Sequence, residues 1–198
     1  MKKIIGFTGK KQSGKDSACD MLSEYGYKKG SFASVLKDIM WTTCVFPVDY
    51  DYETQKEEPV LTLFQATLLR KITEKWFTDQ RRASSLYLAL MDKFGTKHFS
   101  ARKFLQFVGT DWGRKTIDKN IWVKMTNISD NMAFSDVRFD NEAIAIRNSG
   151  GYIVHLVREG QETQDNHESE QGIQEELIDH TIIASDLDEL RQKIKDLL

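Results

Sequence analysis

The chain has 198 residues, of which 40% are hydrophobic and 29% charged, and its formal net charge is -2 at pH 7. Such a composition excludes a disordered or collagen-like chain, and the length is that of one domain, with or without a small insert. No apolar run reaches the roughly 20 residues that cross a bilayer, and the start is too short for a secretory signal. With only two cysteines, Cys19 and Cys44, we expect a cytoplasmic protein with no membrane partner.

The low net charge hides three charged segments. Residues 1–30 contain seven Lys and three acidic residues, and residues 70–124 contain thirteen Lys or Arg and five acidic residues. Residues 159–198 contain three basic and twelve acidic residues. The two basic segments favour a binding site for an anion, although solvated helical faces would give the same charges.

The predicted elements of the first half are mostly helical. Residues 3–8 form a short apolar run that is typical of a buried strand, and residues 14–25 have the period of a helix. A second strand is predicted over residues 27–32. The remaining predictions are a helix over 33–44, a loop or insert over 47–59, helices over 61–77, 80–94 and 101–117 with Gly109 as a candidate break, and a short helix or turn over 121–128.

The second half alternates strands and helices. Residues 132–137 and 152–157 are predicted strands, and the helix over residues 139–148 between them ends at Gly150-Gly151. A polar loop over 160–170, a short strand at Ile182 and Ile183 and a helix over 187–198 complete the chain. This alternation predicts an α/β fold, a mainly parallel sheet flanked by helices.

A phosphate loop follows the first predicted strand. Gly9, Gly14 and Lys15 have the spacing Gly-x4-Gly-Lys, between a strand and a helix. Such glycines let backbone N–H groups surround a phosphate, and the lysine reaches the β- and γ-phosphates. The predicted ATP phosphate-binding residues are Gly9, Lys10, Lys11, Gln12, Ser13, Gly14, Lys15 and Ser17.

Asp16 departs from the usual loop, in which a Ser or Thr that binds Mg²⁺ follows the lysine. Here Asp16 takes that place and Ser17 comes next. A carboxylate beside phosphates is tolerable if Mg²⁺ lies between them, or if Asp16 orients the acceptor. The alternative is an acidic residue that the helix dipole favours in a first turn.

Several later motifs share their order and spacing with one enzyme family. They lie at residues 101–110, Asn120 to Trp122, residues 135–143, 150–154 and 167–170. With Gly14 to Ser17 they make the chain, over about residues 3–198, resemble the deoxynucleoside monophosphate kinases of tailed bacteriophages and their prophage relatives. The segment 45–98 has no motif of that family.

The resemblance implies a P-loop kinase fold and the transfer of the γ-phosphoryl group of ATP to a deoxynucleoside monophosphate (dNMP), with Mg²⁺, in the cytoplasm of a host. We expect one domain over residues 1–198, in which residues 45–128 are a helical insert that binds the acceptor and residues 158–180 a shortened lid. No nucleic-acid partner is expected, and a homodimer is left open.

The resemblance also implies the site residues. The catalytic set is Lys15, Asp16, Arg102 and Arg138, and the metal ligands are Asp16, Ser17 and Asp136. The predicted dNMP-binding residues are Lys10, Asp16, Arg102, Lys103, Gln106, Gly109, Trp122, Asp136, Arg138 and Glu142.

Each of these residues has a structural alternative. Arg102 and Lys103 can be a solvated basic face, and Trp122 alone is typical of a core residue. Asp136 can cap a helix, and Arg138 with Glu142 can be a surface ion pair that contributes little.

The predicted lid contains no Lys or Arg after its first residue, Arg158. Residues 159–179 have no Lys or Arg and at least seven acidic residues, and Arg158 precedes them. Many nucleoside monophosphate kinases close an Arg-bearing lid over ATP. We therefore expect the cations of the reaction to be supplied from Lys10, Lys11, Arg102, Lys103, Arg138 and Arg158.

Three other functions remain open from the sequence. One is another P-loop kinase, of the dephospho-coenzyme A or phosphomevalonate type, which residues 102–109 and 136–142 disfavour. A regulatory NTP-binding switch would hydrolyse nucleotide slowly without an acceptor. Binding of nucleic acid by the basic segment 70–124 would depend steeply on salt.

Overall fold

The computed structural model describes residues 3–46, 49–57, 59–62, 72, 74–94, 99–160 and 172–198. The described strands are β1 (Ile5–Thr8), β2 (Lys28–Gly30), β3 (Cys44–Val45), β4 (Pro59–Thr62), β5 (Phe99–Ser100), β6 (Met132–Phe134), β7 (Tyr152–Arg158) and β8 (His180–Ala184). The described helices are α1 (Lys15–Glu24), α2 (Ser34–Thr43), α3 (Tyr52–Gln55), α4 (Gln80–Lys93), α5 (Ala101–Gln106), a π-helix (Phe107–Ile117), α6 (Ile121–Met125), α7 (Asp140–Asn148), a 3-10 helix (Glu175–Leu177) and α8 (Leu187–Asp196).

The chain divides into two compact units. The first contains Met1–Phe32 and Val123–Leu198, and the second contains Ala33–Trp122. In the first unit the strand order is β2-β6-β1-β7-β8, and every neighbouring pair is parallel. The α/β fold with a parallel sheet flanked by helices is therefore confirmed.

Both faces of this sheet are covered, as parallel strands require. One face packs against α1 and α8 through Phe7, Leu22 and Leu190. The opposite face packs against α7, where Ile153 contacts the cluster that includes Ile146. Each fully buried side chain of this size contributes roughly 1.5–3 kcal/mol, so the sheet is a firm base for the loops at its edge.

The second unit contains an antiparallel sheet of order β3-β4-β5 together with α2, α4 and α5. Helix α5 continues directly into the π-helix, whose last turn is closed by the N–H of Asp118 donating to the carbonyl of Gly113 at 2.9 Å. A Cβ on Gly113 would lie 2.5 Å from Cζ2 of Trp122. Glycine therefore leaves the space that this indole occupies.

Two predicted elements of the second unit are wrong in type: the start of the helix over 61–77, and the loop over 47–59, which contains α3. Leu61 and Thr62, predicted as the start of a helix, belong to β4, where Thr62 pairs with Cys44. Pro59 begins that strand instead of ending a loop. Pairing between distant segments overrides local periodicity here. Residues 63–71 and 73 of the predicted helix lie outside the described residues.

The other predicted elements are confirmed within a few residues where they are described. Gly109 does not break its helix, because the chain widens into the π-helix at Phe107 and continues. In the described ranges no helix is both long and apolar enough to cross a membrane. The single domain with an insert over 45–128 stays a prediction, and residues 161–171 of the predicted lid over 158–180 lie outside the described residues.

Candidate phosphoryl-transfer site

The carboxyl ends of β1, β6, β7 and β8 lie along the same edge of the first unit's sheet, because these strands are parallel. Strand β1 lies between β6 and β7, and is followed by residues 9–14. Residues 135–139 follow β6, and Arg158 at the end of β7 pairs with Ala184 at the end of β8. Because ligands of open α/β sheets bind outside the carboxyl ends of the strands, this edge is the candidate site.

The phosphate loop has a curled backbone that requires its glycines. The φ angles of Gly9, Gln12 and Gly14 are 139°, 65° and 94°. A Cβ on Gly9 would lie 2.3 Å from the carbonyl oxygen of Leu156, and one on Gly14 would lie 2.8 Å from a methyl carbon of Leu190. The positive φ angles disfavour a side chain at both glycines, and at Gly9 the backbone of Leu156 also leaves no space for one. A backbone of this shape points N–H groups at an anion.

Lys15 extends back over this loop from the first turn of α1. Its Nζ donates to the carbonyl oxygens of Gly9 at 2.7 Å and Lys10 at 2.6 Å, and lies 3.4 Å from Oγ of Ser13. The ammonium group and the N-terminus of α1 thus place positive charge at the same point. This arrangement suits the β- and γ-phosphates of a nucleotide.

A pocket of about 360 Å³ adjoins the phosphate loop. One wall is formed by residues 12–17, and the opposite wall by Arg158, Ala184, Ser185, Asp186, Leu187 and Leu190. Of this second wall, sequence reasoning identified only Arg158. The other residues of this wall could have been found from the predicted strand at Ile182 and Ile183. In a parallel sheet, the carboxyl end of that strand lies at the same edge as the phosphate loop.

Asp136 joins the loop after β6 to the chain that follows β2. Its Oδ2 accepts a hydrogen bond from the hydroxyl of Ser31 at 2.7 Å, and its Oδ1 accepts one from the N–H of Phe32 at 3.1 Å. Asp136 lies two residues past the end of β6, the strand that pairs with β1. Its roles toward metal and acceptor stay predictions.

Glu142 is buried, with 2% of its surface exposed. Its Oε2 accepts hydrogen bonds from the backbone N–H groups of Arg138 at 2.8 Å and Phe139 at 3.1 Å. Glu142 is the third residue of α7, and its carboxylate caps the backbone N–H of Phe139, the N-cap residue of that helix. The structure thus shows a capping carboxylate at Glu142, while contacts of Arg138 and Glu142 with dNMP stay predictions.

The predicted acceptor-binding pair, Arg102 and Lys103, lies in the first turn of α5 in the second unit. Nε of Arg102 forms an ion pair with Oε1 of Glu57, and the Arg102 side chain is only 18% exposed. Lys103 is exposed, and its N–H donates to the hydroxyl of Ser100, the N-cap residue, at 3.3 Å. Gln106, at the end of α5, is partly buried. The roles of these side chains toward an acceptor stay predictions.

Trp122 is fully buried in the second unit. Its Nε1 donates to the carbonyl oxygen of Gly109 at 2.7 Å, so two of the predicted acceptor residues contact each other. This is the core position that the sequence kept as an alternative for Trp122. A role of Trp122 or Gly109 in lining an acceptor pocket stays a prediction.

Asp16 is exposed on the first turn of α1. Burial of Cys19, and then the charge of Asp16, raise the pKa of that thiol to about 12, which makes Cys19 a core residue and not a nucleophile. Within the described ranges no three His, Cys, Asp or Glu side chains form a cluster that could hold a metal ion. Mg²⁺ in kinases needs only one or two carboxylates besides substrate phosphates, and the donors of Asp16 and Ser17 suit that mode.

His155 is a site neighbour that sequence reasoning missed. It lies in β7 in register with Thr8, the residue before the phosphate loop. Burial, and then the positive charge of Lys15, lower its pKa below the ordinary 6.5. Only the pairing of β1 with β7 brings these residues together, so no local pattern could have found it. The motif residues His167, Glu168 and Glu170 lie outside the described residues.

Comparison with known proteins agrees with this geometry. The model of the family described as deoxynucleotide monophosphate kinase matches residues 56–194. The chain belongs to this family. The deoxynucleotide monophosphate kinase of Enterobacteria phage T4 is 28% identical over 99% of this chain and 98% of its own length. A protein of Acanthamoeba polyphaga mimivirus is 30% identical over 84% of this chain and 80% of its own length.

A third relative, the deoxynucleoside-5'-monophosphate kinase of Escherichia phage T5, is 32% identical over 42% of this chain and 39% of its own length. Membership of the deoxynucleotide monophosphate kinase family confirms the resemblance and the prediction of a kinase. The dephospho-coenzyme A or phosphomevalonate type and the regulatory switch are accordingly not favoured.

Proposed function

We propose that this member of the deoxynucleotide monophosphate kinase family transfers the γ-phosphoryl group of ATP to the 5'-phosphate of a dNMP, giving ADP and a dNDP. The observation that carries the proposal is the phosphate loop, in which Gly9 and Gly14 hold a curled backbone around Nζ of Lys15. This loop follows β1, and β1 pairs with β6, the strand that precedes Asp136 and Arg138.

In the transfer, an oxygen of the acceptor phosphate forms a bond to the γ-phosphorus, and the bond from that phosphorus to the β,γ-bridging oxygen breaks. Charge spreads over the transferring oxygens, so most of the catalysis comes from positioning and from cations. Lys15 would neutralise charge on the β- and γ-phosphates, and the guanidinium of Arg138 would hold acceptor and transferring oxygens.

The wall that contains Arg158 and Leu187 would take the nucleoside part of ATP. The pocket at this wall extends directly from the phosphate loop, which matches the connection between a nucleoside and its phosphates. Leu187 supplies an exposed apolar surface, and Arg158 supplies a planar cation for stacking on a base.

Asp16, Ser17 and Asp136 would hold Mg²⁺. When bound, the ion neutralises charge on the β- and γ-phosphate oxygens. Chelation with EDTA should abolish ADP release, and added Mg²⁺ should restore it. Activity that persists after exhaustive chelation would contradict this metal assignment.

Arg102, Lys103, Gln106, Gly109 and Trp122 would contribute to the binding of the acceptor nucleotide. Because residues 159–179 contain no Lys or Arg, Arg102 and Arg158 should each matter for turnover. We expect Arg102→Ala and Arg158→Ala to slow phosphoryl transfer by about tenfold or more. If neither does, this assignment of the cations fails.

The proposed activity is tested by ADP release from ATP and Mg²⁺ with a panel of dNMPs, ribonucleoside monophosphates and other phosphorylated acceptors. Turnover should require an acceptor and occur with at least one dNMP. Turnover only with an acceptor outside the nucleotides, or hydrolysis that no acceptor stimulates, would contradict the proposal.

We place the reaction in the cytoplasm, on free nucleotides and not on nucleic acid or a membrane. The basic segment over residues 70–124 then serves nucleotide phosphates. Duplex DNA should therefore not compete with dNMP in the kinase assay at 0.15 M salt, where nonspecific binding is weak, on the order of 10⁻⁴ to 10⁻⁶ M in Kd. Strong competition by DNA would contradict this assignment.

A further inference from the structure

The loop over residues 135–139 is held by contacts from several elements of the first unit. Asp136 accepts hydrogen bonds from Ser31 and Phe32 beyond β2. The N–H of Val137 donates to the carbonyl of Phe7 in β1 at 3.3 Å, and the Val137 side chain is 1% exposed. The loop is therefore fixed on its β2 side and on its β1 side.

Glu142 of α7 holds the same loop from a third direction. One oxygen of its carboxylate, Oε2, accepts from the consecutive backbone N–H groups of Arg138 and Phe139. Two bonds to one oxygen restrict the orientation of the peptide groups on both sides of the Cα of Arg138. The direction in which the Arg138 side chain leaves the loop therefore depends on where Glu142 holds that oxygen.

The contact uses Glu142 as a hydrogen-bond acceptor. A buried carboxylate loses hydration, and here the two N–H groups and the N-terminus of α7 offset that loss. A glutamine at this position would present an acceptor oxygen at the same distance along the side chain, and capping boxes use either residue. An aspartate would keep the charge but shorten the side chain by one methylene.

We propose that Glu142 is a positioning residue, which acts on the reaction by holding the backbone of Arg138 and not by contacting the acceptor itself. The inference rests on the proposed function, because it assigns Glu142 a task in dNMP phosphorylation. Glu142 can affect the rate in this way because phosphoryl transfer is sensitive to the position of the groups that hold the reactants. A shift of about 1 Å in such a group can lower the rate about 100-fold.

The test compares Glu142→Gln with Glu142→Asp in the folded, full-length protein. Positioning through an acceptor oxygen predicts that Gln keeps kcat/KM for dNMP within about threefold of the original chain. Asp, which withdraws the oxygen, should lower it by about tenfold or more. If the charge of Glu142 acted directly on acceptor or metal, the order would be reversed.

A double-mutant cycle decides whether the effect passes through Arg138. Both Glu142 variants are combined with Arg138→Ala, and kcat/KM is measured for each chain. With the guanidinium gone, Glu142→Asp should cost less than about twofold further. An equal loss with and without the Arg138 side chain would overturn the proposal.

Backbone amide exchange supplies a measurement that does not depend on activity. Glu142→Asp should speed hydrogen exchange at the N–H groups of Arg138 and Phe139 by about tenfold, while Glu142→Gln should leave it near its original rate. Unchanged exchange in the Asp variant would overturn the holding role of Glu142.

Asp79→Ala is a matched control for the loss of a helix cap. Asp79 caps α4, where its Oδ1 accepts from the N–H of Arg81 at 2.9 Å, and it belongs to the second unit. This variant should leave kcat/KM for dNMP within about twofold after correction for the folded fraction. A loss as large as that of Glu142→Asp would attribute the effect to general weakening and overturn the proposal.

The outcomes separate this inference from the proposed function. An original chain that phosphorylates dNMP while Glu142→Gln loses as much as Glu142→Asp overturns only the positioning role. An original chain with no dNMP-dependent turnover overturns the proposed function and the role of Glu142 in it together.

Discussion

Gly9 lies so close to Leu156 of β7 that a Cβ at position 9 would be 2.3 Å from the Leu156 carbonyl oxygen. Because φ of Gly9 is also 139°, Gly9→Ala must displace the loop or the strand. We expect the free energy of unfolding to fall by about 2–4 kcal/mol, measured by urea denaturation. Gly150→Ala is the control, since φ is 83° there and nothing lies within 4 Å, and it should cost about 1–2 kcal/mol. Equal losses would contradict the close approach.

Lys15→Met should remove most of the turnover and leave the fold intact. The Nζ of Lys15 donates to the carbonyls of Gly9 and Lys10, so the ammonium lies at the loop where the proposed reaction would develop charge on the transferring oxygens. We expect kcat to fall by about 100-fold or more in the ADP-release assay. Lys195→Met, at an exposed position near the end of α8, should stay near the original rate. A Lys15→Met chain within about tenfold of the original rate would remove Lys15 from the reaction.

Trp122→Phe should destabilise the protein. The change removes the Nε1 donor to the buried carbonyl of Gly109 and leaves space beside Gly113. We expect a loss of about 1–3 kcal/mol in the free energy of unfolding. Trp41→Phe, at a side chain that is 46% exposed, should change it by less than about 0.5 kcal/mol. Comparable losses in the two variants would contradict the core position of Trp122.

His155 should make stability fall as the solution becomes acidic. Burial and the charge of Lys15 lower its pKa in the folded protein below 6.5, so the unfolded chain takes up this proton at a higher pH. The resulting loss of stability begins as pH falls through about 6.5 and continues down to the lowered pKa. The unfolding free energy of the original chain minus that of His155→Gln should therefore decrease from pH 7.5 to pH 5.5, about one pH unit on either side of 6.5. A constant difference across this range would contradict the lowered pKa.

Features that depend on neighbouring residues along the chain could be predicted. The spacing of Gly9, Gly14 and Lys15 was sufficient to predict a curled loop between a strand and a helix, because its backbone, side chain and helix end are contiguous. The parallel sheet followed from alternating apolar runs and helical periods. The family resemblance that suggested Arg138 and Glu142 as site residues is confirmed, while their roles toward dNMP stay predictions.

Features that depend on distant pairing could not be predicted. The pairing of Thr62 with Cys44 turned a predicted helix start into a strand, since backbone hydrogen bonds between distant segments outweigh local propensity. His155 lies beside the phosphate loop because β7 pairs with β1. The pocket wall that contains Ser185 and Leu187 lies there because β8 pairs with β7.

The charged residues also show which features the sequence determines and which depend on the tertiary structure. The sequence alone determined that positive charge is concentrated in residues 1–30 and 70–124, and that a net charge of -2 conceals it. Only the tertiary structure decided how individual charged groups are used: Arg102 contacts Glu57, Lys15 turns onto its own loop, and Glu142 is buried on two backbone N–H groups. The reason is physical, because charge density belongs to composition, whereas the hydrogen bonds and desolvation that give a charged group its role arise from packing.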